Sequence, residues 1–199
     1  MYSKIQYISS GTTAEEQLEN ITAVLKKGID WIQLRFKTEE SQSIRQLAQQ
    51  VKQLQTSYSF TYIINDHIDI AQAVGADGVH LGLQDDSIEV ARAALGNKKI
   101  IGGTANTLDD VLQRISEGCD YIGVGPLRFT ATKQNLSPTL GFEGYQQLVD
   151  RLKEIPTPPL FAIGGVRLAD IDPLADIGIY GVAMSKELNN LNPELKLKK

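Results

Sequence analysis

Gln33, Arg35 and Lys37 stand at alternate positions directly after the apolar pair Trp31 and Ile32. In an extended chain alternate side chains share a side, so an amide and two cations converge on one small region. Guanidinium and ammonium groups so placed form a receptor for phosphate or diphosphate oxygens, through charge-assisted hydrogen bonds. A solvated strand end is the bland reading of the same residues. A second apolar run closes in Asn65-Asp66, and a third carries His80 and Gly82 ahead of Asp85 and Asp86. Two carboxylates at neighbouring strand ends can share a magnesium ion, which keeps open positions for water and for substrate phosphate oxygens. The alternative for Asp66 and Asp86 is helix capping. His80 alone divides evenly between a packed interior histidine and a substrate contact.

The longest irregular stretch runs from Gly125 to Gly141 and contains Thr130, Thr132 and Lys133, hydroxyls and a cation suited to closing over an anion. Further on, Gly164-Gly165 ends one apolar run and Met184-Ser185 ends the next. Exposed N–H groups of a Gly-Gly pair at such a place make a phosphate cradle. These groups together describe a site for two anionic ligands, one held by a metal and cations, the other by backbone. On residue chemistry alone the reading ends at phosphate or diphosphate chemistry with magnesium.

The elements that must position these groups are marked by an internal repeat. A Gly-x-Asp followed by an apolar run begins at Gly28, Gly75 and Gly118, with a degenerate copy at Gly178. Between the copies lie the runs at 60–65, 98–103 and 159–165, with 4–9 before the first, which makes eight strands. Helical spacing fills the intervals, as at Leu18, Ile21 and Leu25, at Ile44, Leu47, Val51 and Leu54, and at Leu108, Val111, Leu112 and Ile115. Thr12 with Glu15 is a candidate capping box for the first helix. Strict alternation of strand and helix predicts a parallel sheet, and eight such units predict a (β/α)8 TIM barrel, a single compact domain over 1–199. Active sites of such barrels lie at the C-terminal ends of the strands, where the polar residues above cluster.

Composition narrows the partners. With 20 Lys+Arg against 24 Asp+Glu the net charge is −4, which offers no broad basic surface for nucleic acid. No apolar run approaches the ~20 residues of a membrane span, and MYSKIQYISS has no signal-peptide core, so a soluble, cytoplasmic protein is expected. Cys119, the single cysteine, reads as a buried, inert thiol. Whether the chain forms a homo-oligomer is left open.

The segments IQLRFK, YIINDHIDIA, GADGVHLGLQD, IIGGT, CDYIGVGPLRFTATK, LGFEGY, FAIGGV and GVAMS, in this order from Ile32 to Ser185, resemble the thiamine phosphate synthase family. The resemblance implies a magnesium-using (β/α)8 transferase that joins hydroxymethylpyrimidine diphosphate to a hydroxyethylthiazole phosphate and releases diphosphate, through a pyrimidine methyl cation. It implies Gln33 at the pyrimidine, with Arg35, Lys37, Asn65 and Lys133 at the diphosphate. Asp66 and Asp85 would hold the metal, and Thr130, Thr132, Gly164, Gly165, Met184 and Ser185 the thiazole phosphate. Thr104 stands where the family usually has serine, and Leu83 intrudes before Gln84. The loop lacks the family's frequent proline before Thr130 and adds Arg128, a cation to which the resemblance gives no role. A thiazole tautomerase relative is the nearest rival, but such relatives tend to lose the cations and carboxylates kept here. A non-catalytic barrel binding a phosphorylated ligand is the rival from another class.

Overall fold

The computed structural model of the chain describes residues 2–37, 40–129 and 139–191. Its strands are β1 (Ile5–Ile8), β2 (Trp31–Leu34), β3 (Thr61–Asn65), β4 (Gly78–Leu81), β5 (Ile100–Ala105), β6 (Tyr121–Val124), β7 (Leu160–Ala162) and β8 (Gly181–Met184). The helices that follow them are α1 (Ala14–Lys26), α2 (Ser41–Gln53), α3 (Ile68–Val74), α4 (Ile88–Leu95), α5 (Leu108–Ser116), α6 (Gly141–Leu152), α7 (Ile171–Ile177) and α8 (Lys186–Asn189). Every strand pairs in parallel with the next and β8 returns to β1, so the sheet closes into the expected (β/α)8 barrel. No helix among the described residues is long and apolar enough to cross a membrane.

The repeated Gly-x-Asp has a double purpose. Gly28, Gly75 and Gly118 sit at φ 87°, 65° and 77°, and no atom lies within 4 Å of where a Cβ would stand. The left-handed backbone, and not lack of room, is therefore what requires glycine there. Two residues later the aspartate fastens the strand it opens to its neighbour. Asp77 donates its N–H to the Tyr62 carbonyl at 2.8 Å while its Oδ2 accepts the Tyr62 N–H at 2.8 Å. Asp120 does the same with Ile101, at 2.8 and 2.7 Å, and its Oδ2 also meets Arg92 at 2.6 Å.

Helix starts and faces depart slightly from the sequence reading. The first helix is capped by Thr13, whose hydroxyl accepts the Glu16 N–H at 3.1 Å, and Glu16 in turn accepts both the N–H and the hydroxyl of Thr12. Thr12 and Glu15 are thus one position early, because the hydroxyl that reaches the N3 amide is that of the residue adjoining the helix. Leu54 begins a 3-10 turn after α2, and Leu112 is exposed. On α5 the buried long side chain is instead Arg114, only 4 % accessible.

Inside the barrel a plug of Trp31, Ile63, Tyr121 and Phe161 is separate from the apolar layer between strands and helices. Trp31 meets the edges of Tyr121 and Phe161 with centroids 5.0 Å apart in both cases, a favourable aromatic geometry. Gly102 and Gly181 face these rings, and a Cβ at either would lie 2.2 Å from Tyr121 or 2.7 Å from Phe161. Large rings on some strands thus demand bare backbone on others, which is how so small a barrel fills its interior without overpacking. Asp120→Ala should leave the buried Ile101 N–H unpaired and cost about 1–3 kcal/mol. At roughly 2–4 °C per kcal/mol for a chain of this size, thermal melting should show a clear fall in Tm, larger than for Arg92→Ala, which keeps the Ile101 bond. A loss no larger than that of Arg92→Ala, which also gives up the Arg92 bonds to the Lys99 and Gly96 carbonyls, would mean that the Ile101 bond contributes little.

Candidate active site

Above the plug lies a polar layer built on the Tyr121 hydroxyl. Gln6 Nε2 donates to that oxygen at 3.2 Å, and Gln33 Nε2 donates to Gln6 Oε1 at 3.1 Å. His80 Nδ1 lies 3.0 Å from the same hydroxyl and His80 Nε2 lies 2.9 Å from Thr104 Oγ1. Burial pushes the phenol well up, so Tyr121 keeps its proton. Given to Nδ1, that proton leaves Nε2–H to donate to Thr104 and frees the Thr104 hydroxyl proton for the mouth. Gln33, His80 and Thr104 are therefore one connected floor. Gln6 and Tyr121 hold it together, and nothing in the spacing of an apolar strand singles out either.

On one side of this floor stand the charges. Asp66 is the one non-glycine residue with positive φ among the described residues, at 65°. It centres a tight turn closed by the His67 N–H on the Asn65 carbonyl at 2.8 Å, while its own N–H donates to the His80 carbonyl at 2.9 Å. Aspartate tolerates this backbone better than most residues, but the conformation still costs energy and directs the carboxyl into the mouth. There it lies against the carboxyl of Asp85, one oxygen of which accepts the Gly82 N–H at 2.6 Å. Burial first, and then Asp85, raise Asp66 to about 7, while Arg35 and Lys37 act in the opposite sense. Burial lowers Arg35 somewhat, and Asp66 opposes that. The predicted alternation thus brings both cations to the paired carboxylates. The main chain of Arg35 is fixed by Ser9 Oγ, which accepts its N–H at 2.8 Å, and by Gln17 Nε2, which donates to its carbonyl at 3.3 Å.

Neither aspartate proposed as a helix cap serves as one. Ser87 caps α4, and His67 stands at the N-cap of α3 without a side-chain bond. Beside this pole a cavity of about 350 Å3 is lined by Leu34, Lys37, Asn65, Asp66 and His67, among others. Among the described residues no group of three or more His, Cys, Asp or Glu forms a metal cage. A pair of adjoining carboxylates, one of them strained and raised, fits a magnesium ion that takes its remaining ligands from water and substrate oxygens.

The second pole is backbone. Gly164 and Gly165 follow β7 at φ 79° and 68°, and a Cβ on Gly164 would lie 2.5 Å from Pro126. No hydrogen bond from the N–H of Gly164, Gly165 or Val166 is made to another described residue, which leaves successive donors for an anion. The pairing of β7 with β8 sets this turn beside Met184, buried at the strand end, and Ser185, whose hydroxyl does not cap the short α8. Thr130, Thr132 and Lys133 lie outside the described residues. Arg114, missed from sequence, ties two mouth segments together, donating to the carbonyls of Thr104 at 3.1 Å and Gly82 at 2.9 Å.

A closed (β/α)8 barrel with a charged pole and a backbone pole at its C-terminal mouth is the architecture of enzymes that handle phosphorylated small molecules. The chain belongs to the thiamine monophosphate synthase family, whose pattern matches residues 6–188. It is 52% identical to the thiamine-phosphate synthase of Flavobacterium psychrophilum over 186 residues, 93% of this chain and 90% of the relative. Over the same share of this chain and 88% of the relative it is 50% identical to the thiamine-phosphate synthase of Flavobacterium johnsoniae. Its fold matches thiamine phosphate pyrophosphorylase from Pyrococcus furiosus with a TM-score of 0.81 at 27% identity, covering 96% of this chain and 89% of that one. The protein is a transferase of thiamine biosynthesis acting on small molecules.

The raised Asp66 carries a pH signature. Its folded value of about 7 exceeds the unfolded carboxylate value near 4, so the folded state takes up a proton over that interval. The stability it contributes is full below about pH 4 and is lost as the pH rises through about 7. Asp66→Asn keeps a residue tolerant of the turn and removes the titration, so its metal-free Tm should gain on the parent between pH 5 and 8. A difference independent of pH would show that this carboxyl does not titrate there.

Proposed function

We propose that the chain condenses hydroxymethylpyrimidine diphosphate with hydroxyethylthiazole phosphate, giving thiamine phosphate and diphosphate in a magnesium-dependent, dissociative reaction. The observation that carries this reading is the meeting of Arg35, Lys37, Asp66 and Asp85 at one edge of the mouth, opposite a cradle of backbone N–H groups. The bond between the pyrimidine methylene carbon and the diphosphate oxygen breaks first, and the electron pair leaves with diphosphate. Arg35 and Lys37 offset the negative charge that gathers on the departing group, and at the half-buried Arg35 that interaction exceeds its value in water, whereas Lys37 is exposed. Asp66 and Asp85 are the residues that would hold magnesium, which when bound neutralises diphosphate oxygens.

The thiazole nitrogen then captures the methylene cation and a carbon–nitrogen bond forms. Little acid or base work is asked of the protein, so its remaining task is orientation. The floor of Gln33, His80 and Thr104 offers fixed amide and hydroxyl groups for a flat heteroaromatic ring. Gly164, Gly165 and the adjoining Met184 and Ser185 would anchor the thiazole phosphate and set the nucleophile in line. Cys119 takes no part: it is buried and its thiol is pushed up to about 12, an inert state that suits a cytoplasmic enzyme.

Purified protein with both substrates and magnesium should form thiamine phosphate, and exhaustive chelation should stop it. Arg35→Ala should raise KM or lower kcat/KM for the pyrimidine diphosphate roughly ten- to a hundredfold, as expected for loss of a contact worth about 1.5–3 kcal/mol. The thiazole phosphate should be affected far less. Full turnover without metal, or equal losses for both substrates, would contradict the reading.

A further inference from the structure

Arg128 is the cation that neither the sequence pattern nor the reaction uses. It lies where the β6 loop runs alongside the turn after β7, and the two segments are zipped by backbone. Leu127 donates its N–H to the Ile163 carbonyl at 2.9 Å, and Arg128 donates its own to the Gly164 carbonyl at 3.0 Å. The guanidinium then takes the next carbonyl, Nη1 donating to Gly165 at 3.0 Å. Its other face is gripped by Asp170, with Nη1 to Oδ2 at 2.5 Å and Nη2 to Oδ1 at 2.8 Å. Asp170 is buried and also accepts the Arg167 N–H at 2.7 Å, so it cannot swing away. Three successive carbonyls, 163 to 165, are drawn to one side of the turn.

We infer that Arg128 is a positioning residue for the phosphate cradle: its main chain fixes the Gly164–Gly165 peptide, and its side chain, held by Asp170, captures the Gly165 carbonyl and so turns the Val166 N–H toward the ligand. This rests on the proposed anchoring of the thiazole phosphate at that turn. A peptide plane can point its carbonyl or its N–H at a ligand, and next to a glycine such as Gly165 little steric preference opposes a flip. An outward Gly165 carbonyl would set a partial negative charge against a phosphate. The Arg128 guanidinium, a planar fork that serves Asp170 and a carbonyl together, removes that option. Lysine, whose three donors radiate from one nitrogen, cannot reproduce the two-nitrogen grip on Asp170 while reaching the carbonyl.

Steady-state kinetics on the full chain test this. Arg128→Ala should raise KM for thiazole phosphate at least about tenfold, while kcat and KM for the pyrimidine diphosphate stay within about twofold. Arg128→Lys should fall near the alanine variant, and millimolar methylguanidinium should restore Arg128→Ala but not the parent. Asp170→Asn, which keeps an acceptor for Arg167, gives the same direction should the alanine variant fold poorly by circular dichroism. Equal rises in both KM values, a lowered Tm with unchanged kinetics, or no rescue would overturn the assignment. A parent that makes no thiamine phosphate would instead refute the proposed reaction. In that event calorimetry with inorganic phosphate, in an Arg35→Ala background that silences the charged pole, decides for the cradle. Weaker phosphate binding on adding Arg128→Ala, restored by methylguanidinium, supports the role, and unchanged binding removes it.

Discussion

The Tyr121 hydroxyl marks the height at which the filling of the barrel changes character, and the mouth depends on how that one group is satisfied. Its ring belongs to the aromatic plug, packed edge-on with Trp31 and Phe161 and admitted only because Gly102 lacks a side chain. Its oxygen lies above the rings, buried, where an unpaired hydroxyl would cost several kcal/mol. Gln6 and His80 answer that demand, and through them Gln33 and Thr104 are fixed in turn. A polar floor whose side chains hold one another has defined orientations, and that is what a site must offer if it is to orient a flat ring without reorganising.

Above the floor the charges obey a second constraint. Two adjoining carboxyls in a half-buried place cannot both ionise cheaply, and Asp66 at about 7 records the conflict. Arg35 and Lys37 relieve it only in part, since burial and Asp85 outweigh them. A cluster that is poorly balanced by itself, yet is fixed by a strained turn and by the Gly82 amide, is preorganised for a further cation and for the anion that accompanies it. That imbalance suits the proposed work, whereas a purely structural network would pair its charges fully.

Much of this was legible beforehand, and the residues show why the rest was not. Strands buried on both faces appear as apolar runs, and the glycines at 28, 75 and 118 punctuate them because only positive φ ends those helices compactly. Alternation through Gln33, Arg35 and Lys37 foretold one shared side, since the period of an extended chain is fixed by geometry. What escaped was whatever depends on contacts distant in sequence. Gln6 reaches Tyr121 across 115 positions, and Arg128 reaches Asp170 across 42. Helical periodicity assigned Leu112 to the core and ignored Arg114, because an arginine is buried only when acceptors such as the Thr104 and Gly82 carbonyls happen to surround it. The turn at Asp66 leaves no mark on residue type, for aspartate is common at strand ends of every conformation.

Those long-range contacts share a purpose that follows from barrel geometry. Parallel strands that stop at one rim leave their last carbonyls without the partners that a longer sheet would supply. A ring of exposed carbonyl dipoles has the wrong sign for an anionic ligand. Here side chains take those carbonyls one after another: Gln17 that of Arg35, Arg114 those of Gly82 and Thr104, Tyr145 that of Val124, Asn106 that of Gly125, and Arg128 that of Gly165. Each bond occupies a backbone acceptor near the mouth, although Val124 also accepts the Ile163 N–H and Gly82 that of Asp85, and each holds negative dipole away from it. Two of the donors are guanidinium groups, which add positive potential without occupying the site. The rim thereby offers N–H groups and cations in place of bare acceptors, which is the local potential that the proposed phosphate substrates require in a barrel of net negative charge.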